Sequence, residues 1–186
     1  MTKANEDAAI RAARPGDAPA ITDIYNHYVR TSIVTFEEEP VTAAEIARRI
    51  AEVQSAPLPW LVADRHGGVT GYAYATRWKN RTAYRFSVEV TVYVAQECGG
   101  YGIGSLLYSQ LLPILQAQGV HAAIGGIALP NEASVALHEK FGFRKVAQFQ
   151  EVAFKFNRWI MSNIGSSRYN VQPLVTATRR RPEFLK

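Results

Sequence analysis

The stretch Ser87-Val-Glu-Val-Thr-Val-Tyr-Val-Ala-Gln-Glu-Cys-Gly-Gly-Tyr-Gly-Ile-Gly-Ser-Leu-Leu-Tyr-Ser-Gln-Leu-Leu112 decides the fold. Val88, Val90, Val92 and Val94 alternate with Glu89, Thr91 and Tyr93, the period of a β-strand written in β-branched residues. Gly99, Gly100, Gly102 and Gly104 follow, and Ile103, Leu106, Leu107 and Leu111 then recur at helical spacing. A strand therefore feeds a glycine loop, and the loop opens a helix. Glycine lets the backbone approach a ligand closely, and a helix N-terminus offers free N–H groups and a partial positive charge. The unit reads as a seat for a phosphate-bearing ligand, although a plain flexible turn would carry the same glycines. Two familiar phosphate loops fit poorly. Gly104-Ser105-Leu106 lacks the Lys-Ser/Thr of a P-loop, and the glycine spacing is not that of the dinucleotide fingerprint.

Working outward toward the N-terminus, Ala8 to Ala13 reads as a strand. Asp17 stands as the cap of a helix whose apolar face is Ala20, Ile21, Ile24, Tyr25 and Tyr28. A polar and aromatic loop, Thr31 to Glu39, leads to the capping box Thr42-Ala43-Ala44-Glu45 and a helix through Gln54, stopped by Pro57 and Pro59. Trp60 to Ala63 and Val69 to Thr76 form a hairpin about His66-Gly67-Gly68. A basic loop, Arg77 to Arg81, precedes the long strand Tyr84 to Val94. Toward the C-terminus, the helix from Gly102 to Gln118 contains Pro113, which is expected to kink or break it. Ala122 to Ala128 is a strand. Asn131 caps a helix that ends at Phe141 and Gly142, and Val146 to Phe156 is a further strand. This order predicts an α+β protein with a mixed central sheet flanked by helices.

The 186 residues suit one domain, with 47% hydrophobic and 20% charged residues. The sole cysteine, Cys98, argues against a disulfide framework and fits a cytoplasmic protein. No apolar run approaches a membrane span, and no signal peptide is expected. The net charge of +5 draws three charges from Arg179, Arg180 and Arg181, and no basic stripe interleaved with aromatics supports nucleic-acid binding. A basic surface equally steers a small anionic ligand. His27, His66 and His121 are too scattered for a metal site.

Four separated motifs carry a resemblance. They are Val88-Glu89-x-Thr91-Val92-Tyr93-Val94, Gly102-Ile103-Gly104-Ser105-x-Leu107-Tyr108, Pro130-Asn131-x-x-Ser134-Val135-x-Leu137-His138-Glu139 and Lys155-Phe156-x-x-Trp159. Together they resemble the phosphinothricin and methionine sulfone N-acetyltransferases of the GNAT superfamily, from about Ile10 to Ile160. The resemblance implies the GNAT fold, acetyl-CoA as cofactor and a small amino-acid substrate. It implies a cytoplasmic homodimer without nucleic-acid or membrane partners. The expected activity is acetylation of the α-amine of phosphinothricin, methionine sulfone or methionine sulfoximine by direct transfer in a ternary complex, giving detoxification or herbicide resistance. Another amine, such as a peptide N-terminus or polyamine, is the first alternative. A non-catalytic acetyl-CoA-binding module is the second.

The resemblance also implies roles. Val90, Thr91 and Val92 would meet acetyl-CoA through their backbone, and Cys98, Gly99, Gly100, Tyr101, Gly102, Ile103 and Gly104 would hold its pyrophosphate. Gly99 replaces the Gln or Arg that usually opens this loop, so weaker coenzyme binding is expected. Asn131 would serve as helix cap and coenzyme contact. Glu89 is the candidate base, since a carboxylate among apolar neighbours can have a raised pKa; a solvated or ion-paired Glu is the alternative. His138 is the candidate acid for the thiolate, or a substrate-holding group, or a packed histidine. Tyr28 and Phe36 would wall the amino-acid pocket, Arg77, Trp78 and Lys79 would meet the substrate's acid group, and Ser87, Val88 and Glu89 would line it from the strand. Cys98 has no Cys–His pattern to support a nucleophilic role.

After Trp159-Ile160 the resemblance stops, which divides the chain into a domain over 1–160 and an atypical tail over 161–186. Relatives continue with Asp-Val-Gly-Tyr-Trp-Gln or similar. Met161 to Asn170 can be encoded so that one guanine restored before the Met161 codon regroups the bases as Asp-Val-Glu-Tyr-Trp-Gln-Leu-Ala-Leu-stop. A single-base deletion after the Ile160 codon is the hypothesis this suggests. The tail lacks the apolar alternation of a last strand, so it is expected to be loosely packed and to leave a sheet edge exposed.

Overall fold

In the computed structural model, which describes residues 8–169, the chain runs β1 (Ala9–Ala12), α1 (Ala18–Thr31), α2 (Ala43–Ser55), β2 (Trp60–Arg65), β3 (Gly68–Arg77), β4 (Ser87–Val94), α3 (Ile103–Ala117), β5 (Ala122–Leu129), α4 (Glu132–Lys140), β6 (Arg144–Lys155) and β7 (Arg158–Arg168). The sheet order is β1-β2-β3-β4-β5-β7-β6. β1 to β4 form an antiparallel meander, and α3 is the crossover that makes β5 parallel to β4. β7 then lies antiparallel between β5 and β6.

Strand alternation divides β4 between two cores. Val88 and Val90 point to α3, where Leu107, Tyr108, Leu111 and Leu115 are fully buried. On the opposite face, Ile21 and Val29 of α1 and Ile46 and Ile50 of α2 pack over Val62 and Tyr72. Each such buried side chain contributes roughly 1.5–3 kcal/mol. No helix among the described residues is long and apolar enough to cross a membrane.

The capping signals are partly as read. Thr42 accepts from the Glu45 N–H at 3.1 Å, and Asn131 from the Ser134 N–H at 3.1 Å. Asp17 holds the cap position of α1, but its carboxylate accepts instead from the Arg11 guanidinium and the Arg14 N–H. The Arg11 hydrogen bond keeps its pKa below the usual carboxylate value. α3 runs through Pro113 without a break. Thr82–Tyr84 is a 3-10 turn, so the central strand begins at Ser87 and not at Tyr84.

The largest correction concerns the tail. Met161 to Arg168 is not loose: it pairs with β5 from Leu129↔Met161 to Ala122↔Arg168, and with β6 on its other side. Side-chain alternation is not what holds it. Gly165, Ser166 and Ser167 are small enough to leave the backbone ladder undisturbed, and a strand between two neighbours satisfies its N–H and C=O groups on both edges. The edge at this end of the sheet is accordingly β6. The rest of the expected tail, residues 170–186, lies outside the described residues.

Candidate active site

β4 and β5 pair only at Ser87↔Ala122, Val88↔Ala123 and Glu89↔Ile124. Beyond Glu89 they part, and a cavity of about 700 Å³ fills the wedge. It reaches both faces of the sheet. Tyr28, Phe36 and Tyr74 line it on the α1 side, and Tyr108, Leu137 and His138 on the side of α3 and α4.

The glycine loop forms one end. Gly100 and Gly102 have φ of 79° and 83°, which any side chain would strain. α3 starts immediately after Gly102, so the N–H groups of its first turn emerge at the loop. A Cβ on Gly104 would come 3.1 Å from Leu137 Cδ2, so glycine there lets α4 approach. The parting of the strands exposes backbone as well. The Phe86 carbonyl accepts from the Ala122 N–H at 3.1 Å, on the β5 side. By alternation, the backbone of Val90 and Val92 faces the same side: the Glu89↔Ile124 pair still engages the Val90 N–H, while the Val90 carbonyl and the Val92 N–H lie beyond it, where β5 has turned away. Unpaired strand backbone beside a helix N-terminus fits the amide-rich arm and the pyrophosphate of acetyl-CoA.

Glu89 stands at the vertex of the wedge. Its carboxyl is half-buried, and burial raises its pKa while the charge of Lys79 opposes the rise. Thr91 and Tyr93 share its face. Tyr74, cross-strand from Thr91, stacks on Trp60 at 4.1 Å. Tyr28 closes the α1 side, donating to the Val94 carbonyl at 2.6 Å.

His138 is buried. Its Nδ1 lies 2.7 Å from the Ser134 carbonyl, which can only accept, so Nδ1 carries the proton. Nε2, 3.0 Å from the Tyr108 hydroxyl, is then the acceptor. Burial lowers the His138 pKa and raises that of Tyr108. The imidazole is therefore neutral at pH 7, with no proton on Nε2 to give. Gly125 makes room for it, since a Cβ there would lie 2.6 Å from Nε2.

The cavity brings together Tyr28, Phe36, Trp78, Glu89, Val90, Thr91, Val92, Cys98, Gly99, Gly100, Gly102, Ile103, Gly104, Asn131 and His138. Five expected residues are not on its wall. Val88 points into the α3 core, and Ser87 lies where β4 still pairs with β5. The Tyr101 ring is turned outward and exposed. Arg77 and Lys79 are exposed beside the cavity, with Lys79 over the Trp78 ring and acting on Glu89 through charge alone. The sequence reading missed Tyr74, Tyr93 and Tyr108. The first two were within reach: Tyr93 alternates with Glu89, and the hairpin register carries Tyr74 to the same face.

Comparison with known proteins agrees with this geometry. The acetyltransferase (GNAT) domain family matches residues 10–164. A phosphinothricin N-acetyltransferase of Streptomyces coelicolor is 44% identical over 163 residues, covering 78% of this chain and 89% of that protein. An L-methionine sulfoximine/L-methionine sulfone acetyltransferase of Salmonella typhimurium is 36% identical, covering 81% and 88%. The crystal structure of a phosphinothricin acetyltransferase from Sinorhizobium meliloti in complex with acetyl-CoA superposes with a TM-score of 0.84 at 35% identity, covering 95% of each chain. The chain belongs to the GNAT family and is an N-acetyltransferase that takes its acetyl group from acetyl-CoA.

Proposed function

We propose that the enzyme acetylates the α-amine of small amino-acid analogues of the phosphinothricin, methionine sulfone and methionine sulfoximine class. The observation that carries this reading is Glu89 at the vertex of the β4–β5 wedge, between an aromatic pocket and the strand backbone freed where β5 turns away. Acetyl-CoA supplies the activated thioester. Glu89 takes the proton of the substrate ammonium, directly or through water, helped by its raised pKa. The Val92 amide polarises the acetyl carbonyl, the Val90 carbonyl accepts from the coenzyme's amide-bearing arm, and the loop from Cys98 to Gly104 with Asn131 holds the pyrophosphate. Tyr28, Phe36 and Trp78 wall the amino acid, and Lys79 attracts its carboxylate. His138 accepts the Tyr108 hydroxyl proton at Nε2 and fixes that hydroxyl on the cavity wall, and the departing thiolate takes up the second proton that the amine gives away. Transfer is direct within a ternary complex, and its role is detoxification in the cytoplasm. Acetyl-CoA consumption with methionine sulfone, phosphinothricin, a peptide and a polyamine, read with product mass, tests the reading. Turnover of the peptide or polyamine alone would overturn it.

Two structural proposals accompany it. The exposed Val152, Phe154 and Trp159 near edge strand β6 suit a homodimer contact. The tail beyond Ile160 is the product of a single-base deletion. Supporting this, β7 carries Ser162, Asn163, Gly165 and Ser166 in place of an apolar alternation, and one restored base regroups its residues into the ending of the resembled family. Resequencing the gene decides it, since codons that cannot regroup as above would remove the idea.

A further inference from the structure

The Lys155-Phe156-x-x-Trp159 motif has no part in the chemistry above. Lys155 ends β6 and is only 2% exposed. Its Nζ donates to the Thr35 carbonyl at 2.9 Å, across 120 residues of chain. Phe156 and Asn157, with φ of 50° and 56°, make the turn that follows, and the Phe156 ring lies 5.0 Å from Nζ. Glu37 and Glu38 attract the ammonium, yet neither forms an ion pair with it among the described residues. Burial lowers its pKa.

Thr35 is part of the Val34–Phe36 wall of the cavity. The loop bearing this wall leaves α1 over the β1–β4 half and crosses the wedge. Its near side is held by the Tyr25–Thr35 hydroxyl pair at 2.7 Å and by Tyr93 donating to the Val34 carbonyl at 3.4 Å. On the far side, Ile33 packs with Ala128 of β5 and Ile160 of β7, and Lys155 supplies the polar contact from β6. A buried ammonium must keep its acceptor, so the bond ties the loop firmly to the far half of the sheet.

We infer that Lys155 is a positioning residue for the amino-acid pocket, clasping the Thr35 carbonyl and so fixing the Val34–Phe36 wall across the wedge. The inference rests on the reading of that pocket as the amine site. In the full chain, Lys155→Met raises the amino-acid KM roughly ten- to a hundredfold, the worth of a hydrogen bond to a charged group. It leaves the acetyl-CoA KM unchanged, and Lys155→Arg recovers part of the loss. Hydrogen exchange provides a readout independent of the amine: amides of residues 32–39 exchange faster in Lys155→Met, while those of α3 do not. If wild-type enzyme ignores every amino acid, the substrate reading fails and exchange alone still decides the clasp. Unchanged exchange over 32–39 overturns the inference, as does a parallel rise of both KM values with a general fall in thermal stability.

Discussion

In the β1–β4 half of the sheet both faces are covered, by α3 on one side and by α1 and α2 on the other, and Val62, Ala63, Ala73 and Ala75 are fully buried between them. In the β5–β7 half, β6 leaves Phe149 47% exposed, Trp159 at the start of β7 is 60% exposed, and β7 brings small polar residues inward. One half is held by packing and the other chiefly by backbone pairing. The wedge lies between them. The groups that must keep their geometry, Glu89 and the backbone of Val90 and Val92, come from the packed half. Walls that can adjust to a substrate, Phe149, Val152 and Ile164, come from the other.

The sharpest way to break this contrast is to damage the packed half. Leu111→Ala should lower stability by about 2–5 kcal/mol in urea unfolding, because the site is enclosed and cannot collapse around the lost atoms. Gly102→Val places a β-branched residue at φ of 83°, at a strain of about 1–3 kcal/mol, and should raise the acetyl-CoA KM without changing that of the amine. Replacing the sequence after Ile160 with Asp-Val-Glu-Tyr-Trp-Gln-Leu-Ala-Leu places Val and Leu where Ser162 and Ser167 stand, gives β7 apolar surface to bury, and should stabilise the weaker half, read as a rise in Tm. Trp159→Ser should change unfolding of an isolated chain by less than about 0.5 kcal/mol. A larger loss that grows with protein concentration would place a partner over β6.

The same contrast explains what was legible. The strand–loop–helix unit declared itself because its valines and leucines follow the periods of the surfaces they bury. β7 did not, since Ser162, Asn163, Gly165 and Ser166 carry no alternation and the strand is held by neighbours remote in sequence. Glu89 was legible as a carboxylate among valines, while Tyr108 stood only at the end of a motif, with no role read for it. The engagement of His138 by Ser134 and Tyr108 depends on a contact 30 residues distant that no local pattern encodes.

The most direct test of the account is the pH dependence of amine acetylation in wild-type enzyme and Glu89→Gln. Glu89 must be ionised to accept the proton, and burial holds its pKa above the ordinary carboxylate value. The wild-type rate should therefore climb with pH through an acid limb displaced upward, and the limb should vanish in Glu89→Gln. That variant should lose about 10²–10⁴-fold in kcat with its KM for acetyl-CoA unchanged. A variant that keeps both the wild-type rate near pH 7 and the acid limb would contradict the account.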